Sequence, residues 1–232
     1  MADLDRTPDA DREWLVNQIA HALRNPLFAA SVQTESLLLR IDDPDAVRTT
    51  GGKLHRQLQR LSRTIDEMLL LGRPYRATPE AVAVADLFTA LIQRYECDDR
   101  RGPARLTTEV MPPELEGWWD RAAVTLILER FIDNAVQHTP APHEIRLSAE
   151  AVNDDEVALS TIDRGEGIPP DILEQALLPF FPQHSGRPGL GLAVADKLAR
   201  VIGGRIEIES VPGEGTTARC VLPIRSVDHD QT

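Results

Sequence analysis

From Arg12 to about Arg40 the apolar residues Leu15, Ile19, Leu23, Leu27, Leu37, Leu38 and Ile41 recur at three- and four-residue steps. That is the spacing of an amphipathic helix. A second stripe of the same period carries Val47, Leu54, Leu58, Leu61, Ile65, Met68 and Leu69 and stops at "GRP" (72–74). Between them "DDPDAV" (42–47) reads as a turn and a helix start, with Asp43 capping and Pro44 at the first helical position. Two long helices joined by so short a turn form an antiparallel hairpin. One hairpin encloses too little core to stand alone, so it is expected to dimerise into a four-helix bundle rather than pack on the C-terminal part of the chain.

Pro26 falls inside the first stripe. It removes one helical hydrogen bond and is expected to bend the helix near Ala22 without ending it. The residues before it read "HALRNP" (21–26), which places a histidine on the helix with Asn25 one turn further on the same side.

After the linker "GRPYRATPE" (72–80) the pattern changes. Residues 84–95, 120–138, 171–178 and 189–202 read as helices, and 143–152, 156–163, 204–211 and 215–223 as strands. Interleaved helices and strands indicate an α/β domain of roughly 150 residues. The expected organisation is a hairpin over 10–73, a linker over 74–80, an α/β domain over 81–226 and a tail over 227–232.

Three stretches of the second domain carry chemistry: "FIDNAVQHTP" (131–140), "DRGEGIPP" (163–170) and "GRPGLGLAVADKLARVIGG" (186–204). Asp163, at a strand end, can accept a hydrogen bond from an exocyclic amine, and Gly165 and Gly167 let the backbone approach a flat ring. Gly189 and Gly191 open a helix whose N–H groups suit a phosphate. The amide oxygen of Asn134 is a hard ligand suited to Mg²⁺ shared with phosphates.

In this order the stretches resemble the ATP-binding domain of sensor histidine kinases and the wider GHKL (Bergerat-fold) superfamily of gyrase, Hsp90 and MutL. "FIDNAVQHTP" resembles the N box, "DRGEGIPP" the G1 box, "PFFP" (179–182) the F box and "GLGLAVADKLARVIGGRIEIESVPGEGT" the G2 box with its following strands. The hairpin with "HALRNPL" is similar to the dimerisation and phosphoacceptor domain of the same kinases. The resemblance implies an α/β sandwich after the four-helix bundle, with ATP and Mg²⁺ as cofactors. It implies His21 as phosphoacceptor and Asn25 as the amide that positions water for dephosphorylating a response regulator. Asn134 matches the Mg²⁺ ligand, Asp163 the adenine-binding carboxylate and Thr216 the hydroxyl supporting it. His138, Gly165, Gly167, Gly189, Leu190 and Gly191 match further nucleotide-binding positions.

Departures from the pattern are specific. Ala22 stands where the family places Glu or Asp after the histidine, so no side chain there can act as a base. Arg130 replaces an asparagine four residues before Asn134, where it either compensates charge at the phosphates or is a solvated surface residue. Gln137 stands where a basic residue is usual. His184 falls at the lid lysine, and Arg187 and Pro188 replace Gly-Thr; Pro188 has no N–H to offer a phosphate.

The resemblance implies an ATP-dependent histidine kinase exchanging phosphoryl groups with an aspartate on a response-regulator receiver domain. The alternative of the same fold is a weakly catalytic or non-catalytic phosphotransferase or regulator-binding module, and a serine kinase of the anti-sigma type ranks third. A formal net charge of −12 argues against nucleic acid as a partner. No apolar run reaches the roughly 18 residues of a membrane span, and the polar, acidic start is no secretory signal, so a cytoplasmic protein without membrane insertion is expected. Cys97 and Cys220 read as small core residues.

Overall fold

The computed structural model describes residues 8–96, 104–141, 143–181 and 188–224. They form two compact units, one holding the helical hairpin up to Gly72 together with residues 188–190, and the other an α/β unit of the described residues from Arg73 to Phe181 and from Gly191 onward.

In the hairpin α1 (Pro8–Leu38) runs unbroken through Pro26. Asp43 caps α2 (Pro44–Gly72) as its sequence indicates, its Oδ1 accepting from the N–H groups of Asp45 and Ala46, each at 3.1 Å. The two helices pack on each other, yet only Ala30 and Thr64 are buried among their described side chains. Leu27, Phe28, Val32, Leu58, Ile65 and Leu69 stay exposed, Phe28 at 71%. A single hairpin buries only one side of each stripe.

The α/β unit has a five-stranded sheet in the order β2-β4-β5-β7-β6, from β2 (Ala104–Met111), β4 (His143–Ala151), β5 (Glu156–Asp163), β6 (Arg205–Val211) and β7 (Gly215–Pro223). Its β2–β4 pair is parallel and the others antiparallel. A two-stranded sheet pairs β1 (Glu80–Ala83) with β3 (Glu116–Trp119). Helix α4 (Arg121–His138) packs on the sheet beside α6 (Gly191–Val201), and α3 (Val84–Glu96) lies against β1, β2 and α4. Side chains alternate along a strand, so Ile145, Leu147, Val157, Leu159, Cys220 and Leu222 form the buried face with Ile127, Phe131, Val194 and Leu198. The second unit is therefore an α/β domain, as the periodicity indicates, with the sandwich architecture that the resemblance implies.

Three strands escape the sequence pattern: β1 and β3 have four residues each, and β2 is a polar edge strand over "ARLTTEVM". The expected helix over 171–178 is shorter, α5 covering only Pro170–Leu173 before the chain continues as turns. The linker segment is also tied down. Tyr75 Oη (3.2 Å), Thr78 N (2.8 Å) and Thr78 Oγ1 (3.2 Å) all donate to Asp120, and Lys197 Nζ donates to the Arg73 carbonyl at 2.6 Å.

Asp120 also caps α4, accepting from Ala123 N at 2.8 Å. Burial alone would raise its pKa, but the donors from Thr78, Ala123 and Tyr75 outweigh that and hold the carboxyl below the usual range. Cys220 is buried and its thiol is pushed well up by that burial, so it is a core residue; Cys97 lies outside the described residues.

Candidate functional site

The candidate site of the α/β unit is built around Asp163, the last residue of β5. Its Oδ1 accepts from Gly165 N at 2.8 Å and from Thr216 N at 3.3 Å, and the nearby Thr139 side chain also favours the charged carboxylate. Burial is nevertheless the strongest influence and raises its pKa above the ordinary aspartate value of 3.8. A carboxylate held this way is oriented by backbone donors yet keeps acceptor capacity for a ligand amine.

The chain around it is locked by close backbone approaches. A Cβ on Gly165 would sit 2.4 Å from the His138 carbonyl oxygen, and one on Gly167, whose φ is +69°, would sit 2.2 Å from the Val211 oxygen. The room these glycines make is thus already filled by protein backbone, a tighter reason for glycine than approach to a ring. Ile168 N donates to Ser210 Oγ at 2.7 Å and Gly213 N to the Glu166 carbonyl at 2.8 Å, which fastens the loop after Asp163 to the β6–β7 turn.

Thr216 supports Asp163 through its backbone N–H. Its hydroxyl lies 2.9 Å from Ser210 Oγ, the residue opposite it across the β6–β7 pair; sequence reasoning missed that Ser210 also binds the loop after Asp163, from which it is 42 residues away. His138, at the end of α4, joins the same loop twice. Its carbonyl accepts from Glu166 N at 3.0 Å, and its Nδ1 lies 2.6 Å from Glu166 Oε1.

On α4, Arg130, Asn134 and His138 follow at four-residue steps and so share a face. Arg130 is not a solvated surface residue. Its side chain is mostly buried, its Cδ lies 3.5 Å from where a Cβ on Gly191 would be, and its Nη1 is 3.6 Å from Asp133 Oδ2. Asp133 also accepts from Tyr95 Oη at 2.9 Å, so much of the arginine's charge is answered within the protein. Asn134 is half-buried. Both amide atoms of Gln137 are buried with no hydrogen-bond partner among the described residues.

Gly189 has φ +66° and leads through the buried Leu190 to Gly191, the first residue of α6. His184 and Arg187 lie outside the described residues. Among the described residues no group of three or more His, Cys, Asp or Glu side chains is placed to hold a metal. A cation here would therefore take few protein ligands, which suits Mg²⁺ held mainly by phosphate oxygens and water with one amide such as Asn134.

In the hairpin, the Asn25 amide Nδ2 and His21 Nε2 are 3.0 Å apart on the exposed surface of α1. With the amide as donor, Nε2 carries the lone pair and the ring proton is on Nδ1. No carboxylate hydrogen-bonds this imidazole among the described residues.

Residues 11–74 match the family model of the His Kinase A (phospho-acceptor) domain, and residues 119–226 that of the histidine kinase-, DNA gyrase B-, and HSP90-like ATPase. Sensor-like histidine kinase SenX3 of Mycolicibacterium smegmatis is 28% identical over 225 residues, covering 93% of this chain and 58% of the relative. Sensor histidine kinase ZraS of Salmonella typhi is 27% identical over 214 residues, covering 91% and 46%. The chain thus spans about half the length of the curated relatives it matches. Among solved structures it is similar to histidine kinase ThkA in complex with response regulator protein TrrA (TM-score 0.77, 21% identity, 90% of this chain and 61% of the other). Acinetobacter baumannii histidine kinase AdeS gives 0.70 at 20% identity, covering 88% and 98%. Full-length ShkA in complex with AMPPNP gives 0.67 at 22% identity, covering 92% and 46%. At these identities the likeness is one of fold. No described helix is long and apolar enough to cross a membrane.

Proposed function

The chain belongs to the sensor histidine kinases by both of its matched domains, and from that premise we propose that it is an ATP-dependent kinase core that phosphorylates its own His21. The observation that carries the reading is the geometry at His21, whose Nε2 presents a lone pair to the Asn25 amide at 3.0 Å. An imidazole nitrogen with an available lone pair is a competent nucleophile. Its Nε2 attacks the γ-phosphorus, the bond to the β–γ bridging oxygen breaks, ADP leaves with the electron pair, and the Nδ1 proton passes to solvent. Asn25 must release Nε2 for this to occur.

The nucleotide is bound by the α/β unit. Asp163 accepts from the adenine amine, with Gly165, Gly167, His138 and Thr216 shaping the base side and Gly189, Leu190 and Gly191 the phosphate side at the start of α6. Asn134 would hold Mg²⁺, which when bound neutralises the phosphate charge that opposes attack. A second copy covers the exposed stripe of Leu58, Ile65 and Leu69, forming a homodimeric four-helix bundle. The phosphoryl group passes to an aspartate of a response-regulator receiver domain on another chain. The likeness to the ThkA–TrrA complex supports that partner class.

A second reading is favoured by one specific absence. Ala22 supplies no carboxylate beside His21, and loss of a positioned base costs on the order of 10²–10⁴ in rate. On that reading the protein transfers or removes phosphoryl groups and makes little phosphohistidine itself. Incubation with [γ-³²P]ATP and Mg²⁺ separates the two. Acid-labile label present in the wild type and absent from His21→Ala supports the kinase. No label in either, with dephosphorylation of a phosphorylated receiver retained, supports the second reading.

A further inference from the structure

Thr161 is 2% exposed, and its Oγ1 has no hydrogen-bond partner among the described residues. It lies in β5 two residues before Asp163, so the two side chains leave the strand on the same face. Its register partners are Leu147 on β4 and Ala218 on β7, and Leu159 precedes it on the same face. Valine would fill such a place without leaving a polar atom unpaired, because its β-branched shape is that of threonine.

The other hydroxyls near the carboxylate are committed. The Thr139 side chain acts on the Asp163 carboxylate, and the Thr216 hydroxyl meets Ser210. Thr161 is therefore a buried hydroxyl without a hydrogen-bond partner among the described residues, on the β5 face that carries Asp163.

We propose that Thr161 is a base-specificity residue whose hydroxyl donates to a ring nitrogen of adenine, directly or through one bound water. The inference rests on the reading of Asp163 as the adenine-binding carboxylate. Adenine presents an amine donor at C6 beside the N1 acceptor. An ionised Asp163 accepting and Thr161 donating match that pair in order. Guanine presents the reverse, an O6 acceptor beside an N1–H donor, so the ionised carboxylate meets a second acceptor and the hydroxyl has to turn from donor to acceptor.

The test is calorimetric titration of the full chain with Mg²⁺–ADP and Mg²⁺–GDP, for the wild type, Thr161→Val and Thr161→Ser, with thermal melts of each unliganded protein. We expect Thr161→Val to weaken ADP about fivefold or more and to narrow the preference over GDP, while its melting temperature is unchanged or higher. Thr161→Ser keeps the hydroxyl and should stay within about twofold of the wild type for ADP. The proposal is overturned if Thr161→Val binds ADP within about twofold of wild type with the same preference. It is also overturned if serine and valine lose affinity alike, which would make the role one of packing. A wild-type protein that binds no ADP overturns the nucleotide reading itself and this inference with it.

Discussion

The Asn25 amide holds the Nε2 atom of His21 at 3.0 Å, one helical turn away on α1. In a helix that places no acid next to the histidine, this amide fixes the tautomer that an acid otherwise would. It leaves Nε2 as acceptor and Nδ1 as the protonated nitrogen. The same contact occupies the lone pair that the proposed attack needs and sets a group able to orient water beside the ring.

Opposite effects on two activities are therefore expected from two substitutions. Asn25→Ala should lower the dephosphorylation rate of a phosphorylated receiver by about tenfold or more while helix content by circular dichroism is kept. Ala22→Glu should raise the initial rate of His21 labelling by on the order of 10². An unchanged dephosphorylation rate in Asn25→Ala would sink the role given to the amide.

Asp163 gives a prediction with a definite pH sign. Burial raises its pKa, so the folded state holds the proton more tightly than the unfolded chain does. Its favourable contribution is present below the ordinary value of 3.8 and is lost as pH rises through the raised folded value. At pH 7 the ionised group is thus a net burden on the unliganded fold. Asp163→Asn should melt higher than wild type at pH 7, the gain shrinking toward and below the ordinary value, and should lose ADP binding. In the wild type, ADP affinity should decline as pH falls through the raised value, because only the ionised form is a pure acceptor.

Asp120 has the opposite sign. Its folded pKa is depressed, so its contribution is present above the ordinary value of 3.8 and is lost as pH falls through the depressed value. Asp120→Ala removes the cap of α4 and leaves Tyr75 and Thr78 without their acceptor. It should destabilise the α/β unit by about 1–2 kcal/mol at neutral pH. In calorimetry the difference between the two proteins should close in strong acid. Proteolysis should also cut the segment around 73–80 faster in the variant.

Gly167 is a purely steric case. Alanine there must adopt φ near +69° with its Cβ 2.2 Å from the Val211 oxygen, so the β6–β7 turn has to move away from the loop after Asp163. A loss of about 1–3 kcal/mol is expected. A melting temperature within about 1 °C of wild type would contradict it. Gly213 has an equally positive φ and nothing within 4 Å of its Cβ position, so Gly213→Ala carries only the conformational part and should be milder.

The exposed stripe on α2 predicts oligomeric state. Ile65→Glu together with Leu69→Glu puts two charges into the surface that a second copy would cover. Light scattering should report a dimer for the wild type and a monomer for the variant. A monomeric wild type would remove the four-helix bundle from the proposed function.

The helical periods, the Asp43–Pro44 start of α2 and the order of the asparagine, aspartate and glycine stretches were legible because each is a local relation among residues a few positions apart. Such relations settle element type, and their order along the chain settles the family. Strands β1 and β3 were not legible, because four residues carry no period and their pairing joins positions 33 to 39 residues apart. The binding of the loop after Asp163 to Ser210, the burial of Arg130 beside Gly191 and the anchoring of the linker on Asp120 depend on chain crossings with no local signature. The sequence alone determined that His21 lacks an acidic neighbour, since Ala22 is visible without a fold. The tertiary structure decided that the Thr216 hydroxyl is engaged by Ser210 and that the Thr161 hydroxyl has no hydrogen-bond partner among the described residues, because contacts between strands are set by register.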